Sequence, residues 1–359
     1  MSRPCPASFA IPGDIETLTG GYIYERRLLE SLRALGHSIR HVPLPAGFPH
    51  PSDAETRATL AALCALPAQE PLILDGLVFG SIAPEGLAAV QAPLIAMLHH
   101  PLALESGLAP ARAQALYDSE KRNLARAAHV LVPSRHTAAL LVRDYGADPG
   151  RITIVPPGVD PPRVTPAPTR PPLILSVGIL HPRKGHDVLI AALEGLADLD
   201  WHAVIAGNPW DREHAAALAA RRTTSPEARR IRLAGRVAAD ELQHLYAQAS
   251  IFALATRFEG YGIVFDEALM RGLPIVSTAI GAVPDTVPTD AGLLVPPDDA
   301  PALSAALRLV LTDPARRAAM AAAATHAAAA LPQWSDSAAI AGSVLERVAA
   351  SRMHPGGTN

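Results

Sequence analysis

Short apolar runs alternate with stretches of helical spacing along nearly the whole chain, and one proline-rich segment cuts the series in two. Such alternation predicts parallel sheets with crossover helices, because a buried parallel strand reads as a short continuous apolar run. Before the cut, strands are expected at Ser8 to Ile11, Leu72 to Leu74, Leu94 to Leu98, Val130 to Val132 and Ile152 to Val155. After it they are expected at Leu173 to Val177, His202 to Ile205, Ile231 to Leu233, Ile251 to Leu254, Pro274 to Val276 and Leu293 to Val295. Between them, residues 161–172 hold six prolines in twelve positions, which forbids a helix and stiffens the backbone into a linker. The fold class predicted is α/β, with two doubly wound Rossmann-like domains. One spans residues 1–160 and the other 173–333, and a terminal helix over 334–352 can be capped by Ser335 or Asp336.

A chain of 359 residues is long enough for two domains with full cores. No apolar run approaches 18 residues and no basic-then-apolar leader opens the chain, so neither a membrane span nor a secretion signal is expected. Two cysteines, Cys5 and Cys64, cannot build a disulfide framework, and a reduced, cytoplasmic setting is the expectation. A net charge of −3 gives no reason to expect nucleic acid. Residues 1–160 carry 13 cations against 15 anions, so only a local patch of Arg112, Lys121, Arg122 and Arg126 could support a weak peripheral membrane contact. The tail from Ser351 to Asn359 reads as disordered.

The chemistry concentrates around Glu259 and Glu267, eight residues apart, with Gly260-Tyr261-Gly262 beside the first. A strand ends just upstream at Leu254, so the order is strand, tight turn, helix. A helix starting near Gly262 would aim its free N–H groups at the turn, which suits a phosphate. Glu267 would then lie roughly 7 Å along the axis, at ~1.5 Å per residue. Carboxylates flanking a phosphate turn suit a ligand with hydroxyls on either side of a diphosphate, as in a nucleotide-sugar. Arg183 and Lys184 follow the strand at Leu173 to Val177, at the carboxyl end where doubly wound sheets bind ligands. The chain holds only two lysines, Lys121 and Lys184, among 31 cationic residues, and keeps one beside Arg183. An ammonium is a compact charge on a flexible stem, physically unlike the guanidinium used elsewhere.

These segments resemble the family 4 retaining glycosyltransferases of GT-B fold. Glu259 to Glu267 is similar to that family's E-x7-E signature, and Arg183-Lys184-Gly185 to its RKG segment. Gly235-Arg236-Val237, Gly272-Leu273-Pro274 and Gly281-Ala282-Val283-Pro284-Asp285 fit the same pattern. The resemblance implies an active site in a cleft between two domains, and a terminal helix that crosses back to the first. It implies that Arg183 and Lys184 hold the diphosphate. Glu259 and the backbone of Gly260, Tyr261, Gly262 and Ile263 would hold sugar hydroxyls and phosphate, Glu267 the ribose, and Val237 the base. Many relatives carry Arg after the glycine matching Gly178; this chain has Ile179, which leaves Arg183 to supply both contacts or removes a second cation.

In the first half, Gly20-Gly21 opens a helix whose apolar face is Leu28, Leu32 and Leu35, with Gly36 as its stop. Glycines there permit close approach to an anion, and the resemblance gives them the donor phosphates. His99 ends a predicted strand, and the resemblance places it near the reacting sugar carbon. His99 and His100 are adjacent on extended chain and point opposite ways, so a metal site is not expected. Glu105, Asp14 and Asp75 are candidate acceptor contacts, while His181 and His186 read as structural.

The function expected is transfer of a sugar, with retention, from a nucleoside-diphosphate sugar to a hydroxyl of a glycan, lipid or small molecule. No cofactor or metal is expected, the nucleotide-sugar being a co-substrate, and no Asp-x-Asp motif argues otherwise. The alternatives are a phosphorylase of the same fold, an inactive partner subunit, or a two-lobed sugar-binding protein, which would normally carry an export signal.

Overall fold

The computed structural model describes residues 4–353. The chain divides into two compact units. One holds the chain up to Gly158 and again from Pro332, the other Val159 to Leu331.

The first unit is a parallel sheet of β1 (Pro6–Pro12), β2 (Ser38–Leu44), β3 (Leu72–Asp75), β4 (Leu94–Met97), β5 (His129–Val132) and β6 (Ile152–Ile154). Their order is β2-β1-β3-β4-β5-β6, so the sequence direction reverses between β1 and β3. The predicted strands match five of these. The sixth, β2, was not anticipated, and the reason is physical. It is an edge strand that pairs only β1, buries only Ile39 and Leu44, and carries Pro43, which an edge tolerates. Its register, Pro6 opposite Ser38 through Pro12 opposite Leu44, comes from β1 rather than from its own apolar content.

The helix Gly20–Ala34 buries Leu28 and Leu32 completely, but the predicted third member of that face, Leu35, is 37 % exposed. Leu35 is the C-cap, where the chain leaves helical phase, and Leu29 takes its place in the core. The terminal helix Trp334–Met353 packs on this helix within the first unit. Ser337 donates to the Pro156 carbonyl at 2.6 Å, and Gly342 lies so close to His37 that a Cβ there would meet its Nε2 at 2.6 Å. The helix therefore covers three of the residues read as a tail; the remainder, from His354, lies outside the described residues.

The second unit is the sheet β7 (Leu173–Val177), β8 (His202–Ala206), β9 (Ile231–Gly235), β10 (Ala249–Leu254), β11 (Ile275–Thr278) and β12 (Gly292–Val295). The order β12-β11-β10-β7-β8-β9 makes β7 and β10 neighbours across the switch point. Apolar layers cover both faces, one around Leu193, Ile205 and Leu307, the other around Leu175, Phe252 and Phe265. The proline-rich segment clusters with this unit: the N–H groups of Ala167 and Thr169 donate to the carbonyls of Ala247 and Gln248. The Ala-rich stretch after Pro301 is two helices, Ala300–Thr312 and Pro314–Ala328, separated by Asp313, whose side chain caps the second.

Candidate functional site

In doubly wound sheets ligands bind beyond the carboxyl ends of the strands, at the switch point. In the second unit that point lies beyond β7 and β10, and the loops leaving these two strands carry Arg183, Lys184 and Glu259. Lys184 Nζ is 2.5 Å from Glu259 Oε1, and Arg183 Nη1 is 4.0 Å from Glu259 Oε2. All three side chains are largely buried, at 12, 16 and 6 % exposure. Burial alone would push the Glu259 carboxyl up, but the charges of Lys184 and Arg183, with hydrogen bonds from Lys184 and Thr256, hold it below its ordinary value. The group is an anion with two cations in place around it.

The backbone explains why these residues meet. Gly185 has φ +61°, and a Cβ there would sit 1.8 Å from the Ala255 carbonyl oxygen, so only glycine lets this turn touch the end of β10. The Arg257 N–H donates to the Arg183 carbonyl at 2.7 Å. The Arg257 guanidinium grips Asp187 at 3.0 and 2.7 Å and Asp298 at 2.7 Å. Thr256 Oγ1 lies within 3.1 Å of the Arg183 and Phe258 carbonyls and of Glu259 Oε1. Thr256 and Arg257 thus tie the two loops together. Sequence reasoning gave them no role, since neither offers a signal beyond lying next to Glu259.

The helix predicted from Gly262 is Ile263–Leu269, with Gly262 as N-cap at φ +92°. Glu267 sits in it, and Tyr246 donates its hydroxyl to Glu267 Oε2 at 2.7 Å. Burial raises the Glu267 carboxyl, against the Tyr246 bond and the nearby Arg271. Tyr261, in the turn, donates to Asp266 Oδ2 at 2.7 Å. Burial pushes Asp266 up to about 7, and its Oδ1 has no partner. Asp266 was not anticipated either, for at sequence level it reads as an ordinary first-turn acid. Val237 is partly buried just beyond β9, after Gly235 at φ +64°, and the Gly207 N–H donates to the Gly235 carbonyl. His181 accepts from the Arg183 N–H at 3.2 Å, and fully buried His186 has Nε2 3.2 Å from the Gly178 carbonyl oxygen, so both serve the loop's shape. Ile179 is partly buried in the same loop.

In the first unit the switch point lies beyond β1 and β3, and Gly20, Gly21 and His99 come together near it. A Cβ on Gly21 would meet His99 Cδ2 at 3.5 Å, so the glycine backbone lies against the imidazole. His99 Nε2 is 3.3 Å from Glu25 Oε1, and Tyr24 meets the ring edge-on at 5.2 Å. Asp75, at the end of β3, accepts from the Leu77 N–H at 2.8 Å. Ligating atoms of Glu25, Asp75 and His99 lie within 4.8 Å of one another, a span that one cation could fill. Both carboxyls are buried, which raises each above its ordinary value.

His100 pairs instead with Glu105 at 3.1 Å, and Asp14 caps the Glu16 N–H. Of the four cations in the proposed patch, Arg122 pairs with Glu85 and Arg112 donates to the Pro49 carbonyl, which reduces its free charge. Among the described residues no helix is long and apolar enough to cross a membrane.

Two units of parallel sheet, with cations and a paired carboxylate at one switch point and a Gly-Gly turn and histidine at the other, define an α/β protein with two Rossmann-like halves. Comparison with known proteins agrees. Residues 161–327 match the family described as Glycosyl transferases group 1, and residues 20–163 match Glycosyltransferase Family 4. The chain belongs to the family 4 glycosyltransferases. It is 34 % identical over 217 residues to a D-inositol 3-phosphate glycosyltransferase of Kineococcus radiotolerans, covering 52 % of this chain and 50 % of that protein. It is 33 % identical over 213 residues to a GDP-mannose-dependent monoacylated alpha-(1-6)-phosphatidylinositol monomannoside mannosyltransferase of Corynebacterium glutamicum, covering 53 % and 54 %. The chain thus spans about half the length of the curated relatives it matches. Among solved structures, sucrose-phosphate synthase from Thermosynechococcus elongatus superposes with a TM-score of 0.84 at 22 % identity, covering 97 % of this chain and 100 % of that one, which shows the GT-B fold.

Proposed function

We propose that this chain is a retaining glycosyltransferase that moves a sugar from a nucleoside-diphosphate sugar to an acceptor hydroxyl. The observation that carries the reading is the Arg183–Lys184–Glu259 cluster, two cations held around one anion beyond β7 and β10. Breaking a sugar–phosphate bond leaves negative charge on the departing diphosphate, and fixed cations aimed there lower the barrier without moving a proton. Arg183 and Lys184 take that role. Glu259, kept ionised, accepts from sugar hydroxyls, and the backbone of Gly260 to Ile263 completes the sugar and phosphate contacts. Glu267 accepts from the ribose hydroxyls, and Val237 lies against the base. In the first unit Gly20 and Gly21 offer backbone N–H groups to the donor phosphates, and His99 lies by the reacting carbon.

In this reading the departing phosphate oxygen takes the acceptor's proton while the new bond forms on the face the old one leaves. Neither a divalent ion nor a covalent enzyme adduct is required. The acceptor is a carbohydrate, lipid or small molecule, and the setting is the cytoplasm.

The test is a thermal-shift screen of UDP-, GDP-, ADP- and TDP-sugars on wild type and Glu267→Ala. The names of the relatives put GDP-mannose early in the series. One nucleotide series should raise the melting point of the wild type and leave the variant unmoved. If no donor stabilises the wild type, the reading fails and the site assignments go with it.

A further inference from the structure

Glu25 and Asp75 are 1 and 3 % exposed, and among the described residues neither has an arginine or lysine partner. Two ionised carboxylates at this depth would face a desolvation cost of several kcal/mol each, with only the Leu77 N–H and the His99 imidazole beside them. We propose that Glu25 and Asp75 form a proton-sharing carboxyl pair that fixes the imidazole of His99, with Nε2–H directed at Glu25, and so act as positioning residues for that histidine. The inference rests on the preceding reading only for what His99 faces; the pair itself is argued from its own geometry.

Each member is held from a different element. Glu25 comes from the helix Gly20–Ala34, one turn after the Gly-Gly pair, Asp75 from the end of β3, and His99 from the loop after β4. Asp75 keeps one oxygen on the Leu77 N–H, and ligating oxygens of Asp75 and Glu25 lie within 4.8 Å of each other. Two buried carboxylates that close repel unless a proton is shared between them. Glu25 Oε1 also lies 3.3 Å from His99 Nε2, so this nitrogen carries the hydrogen and Nδ1 is left as an acceptor. The ring cannot turn away easily: Tyr24 stands edge-on to it, itself anchored by its hydroxyl on the Val155 carbonyl at 2.8 Å. Thr137 approaches the His99 carbonyl from the far side at 3.4 Å.

The electrostatics agree. Burial lifts Glu25 to about 7, and burial with the nearby Glu25 raises Asp75 well above its ordinary value. Burial lowers His99, against the pull of Asp75, so the imidazole stays neutral. The other ionisable groups near the pair are Tyr22 and Tyr24 on the same helix, and Asp14, on the loop before it, acts on Tyr22. Burial, then Asp75, Glu25 and Asp14, push Tyr22 up to about 12, so neither tyrosine titrates in the working range and none of these groups supplies positive charge.

The experiment uses Asp75→Asn and Glu25→Gln, each replacing one member of the pair by a neutral group of the same shape. Acids whose folded values lie above their unfolded ones contribute stability that is full below about pH 4 and lost as pH rises through the folded value. The wild-type melting point should therefore fall between pH 5 and 8, and each variant should show a shallower fall, the remainder coming from other raised acids such as Asp266 and Glu120. Nitrogen-15 spectra of histidine-labelled wild type should show His99 as the Nε2–H tautomer. With the donor selected by the screen, the inflection of kcat against pH should move by a pH unit or more in Asp75→Asn. Superimposable melting profiles, or an Nδ1–H tautomer, overturn the proposal. So does loss of activity or of melting temperature in EDTA that MnCl2 restores, because the three residues would then be holding a cation. The melting and spectral readouts need no donor, so a failure of the glycosyltransferase reading would be seen separately.

Discussion

Both units bury carboxyl groups beside the switch point of a parallel sheet, and they neutralise them by opposite means. In the second unit Glu259 stays charged because Lys184 lies 2.5 Å away and Arg183 4.0 Å away. In the first, Glu25 and Asp75 have no arginine or lysine partner among the described residues and share a proton instead. The first arrangement suits a site that must meet a diphosphate, since its cations are already positioned and an ionised carboxylate keeps them there. The second keeps the negative charge beside His99 low. Burial is common to both; the partner decides whether burial produces an ion or an acid.

The largest effect should come from breaking the ion-paired side. Lys184→Met leaves Glu259 buried with only the more distant Arg183, and removing one partner of a buried pair costs about 3 kcal/mol or more. The double variant Lys184→Met with Glu259→Gln should recover most of that loss in a urea melt, although donor binding should stay absent. If the double variant is no more stable than Lys184→Met, the loss came from packing and not from a stranded charge. Next in size is Gly185→Ala. Its φ of +61° and the 1.8 Å approach to the Ala255 carbonyl force the turn to move, at about 2 kcal/mol. Because the turn carries Arg183 and Lys184, donor affinity should fall more than the melting point alone would suggest.

How much of this could be read from the chain follows from where each signal lives. Eleven of the twelve strands among the described residues overlap runs expected from the sequence, and the one that does not, β2, is an edge whose register is dictated by β1. Arg183, Lys184, Glu259 and Glu267 could be picked out because their types and spacing are local. Tyr246 and Glu267 are 21 residues apart and Glu25 and His99 are 74 apart, so their pairing exists only once the sheets have formed. Asp75 reads in the sequence as a strand-end acid and candidate acceptor contact, whereas its closeness to Glu25 exists only in the fold. Local spacing reveals groups that act through charge; groups that act through each other become visible only in three dimensions.

The contrast between the two sides can be sharpened by pH. Glu259 is held below its unfolded value, near 4.3. Its contribution is therefore present above that value and lost as pH falls through the folded one. The stability difference between wild type and Glu259→Gln should be flat from pH 8 to 5 and should shrink below pH 4. For Asp75→Asn the sign is reversed, with the change lying at neutral and alkaline pH. Parallel profiles for the two variants would mean that the carboxyls are not held in different protonation states.

The smallest effect expected is that of Tyr246→Phe, and it is the most specific. Tyr246 is 1 % exposed, and its hydroxyl reaches Glu267 Oε2 at 2.7 Å. Phenylalanine keeps the ring on which the Arg271 guanidinium rests at 4.4 Å, and Arg271 keeps its own bond to the Glu267 carbonyl at 2.8 Å. The hydroxyl's bond to the carboxylate is lost, with its longer contact to the Val264 carbonyl at 3.5 Å, so stability should fall by about 1 to 2 kcal/mol. Glu267 would then lose the contact that aims it, and a ribose hydroxyl would meet a less fixed acceptor. Nucleotide affinity should weaken roughly fivefold, equivalent to about 1 kcal/mol, raising KM for the donor with little change in kcat. A Tyr246→Phe protein that is less stable but binds nucleotide as tightly as the wild type would separate Glu267 from the ribose. It would leave the Tyr246–Glu267 bond as a brace between two helices.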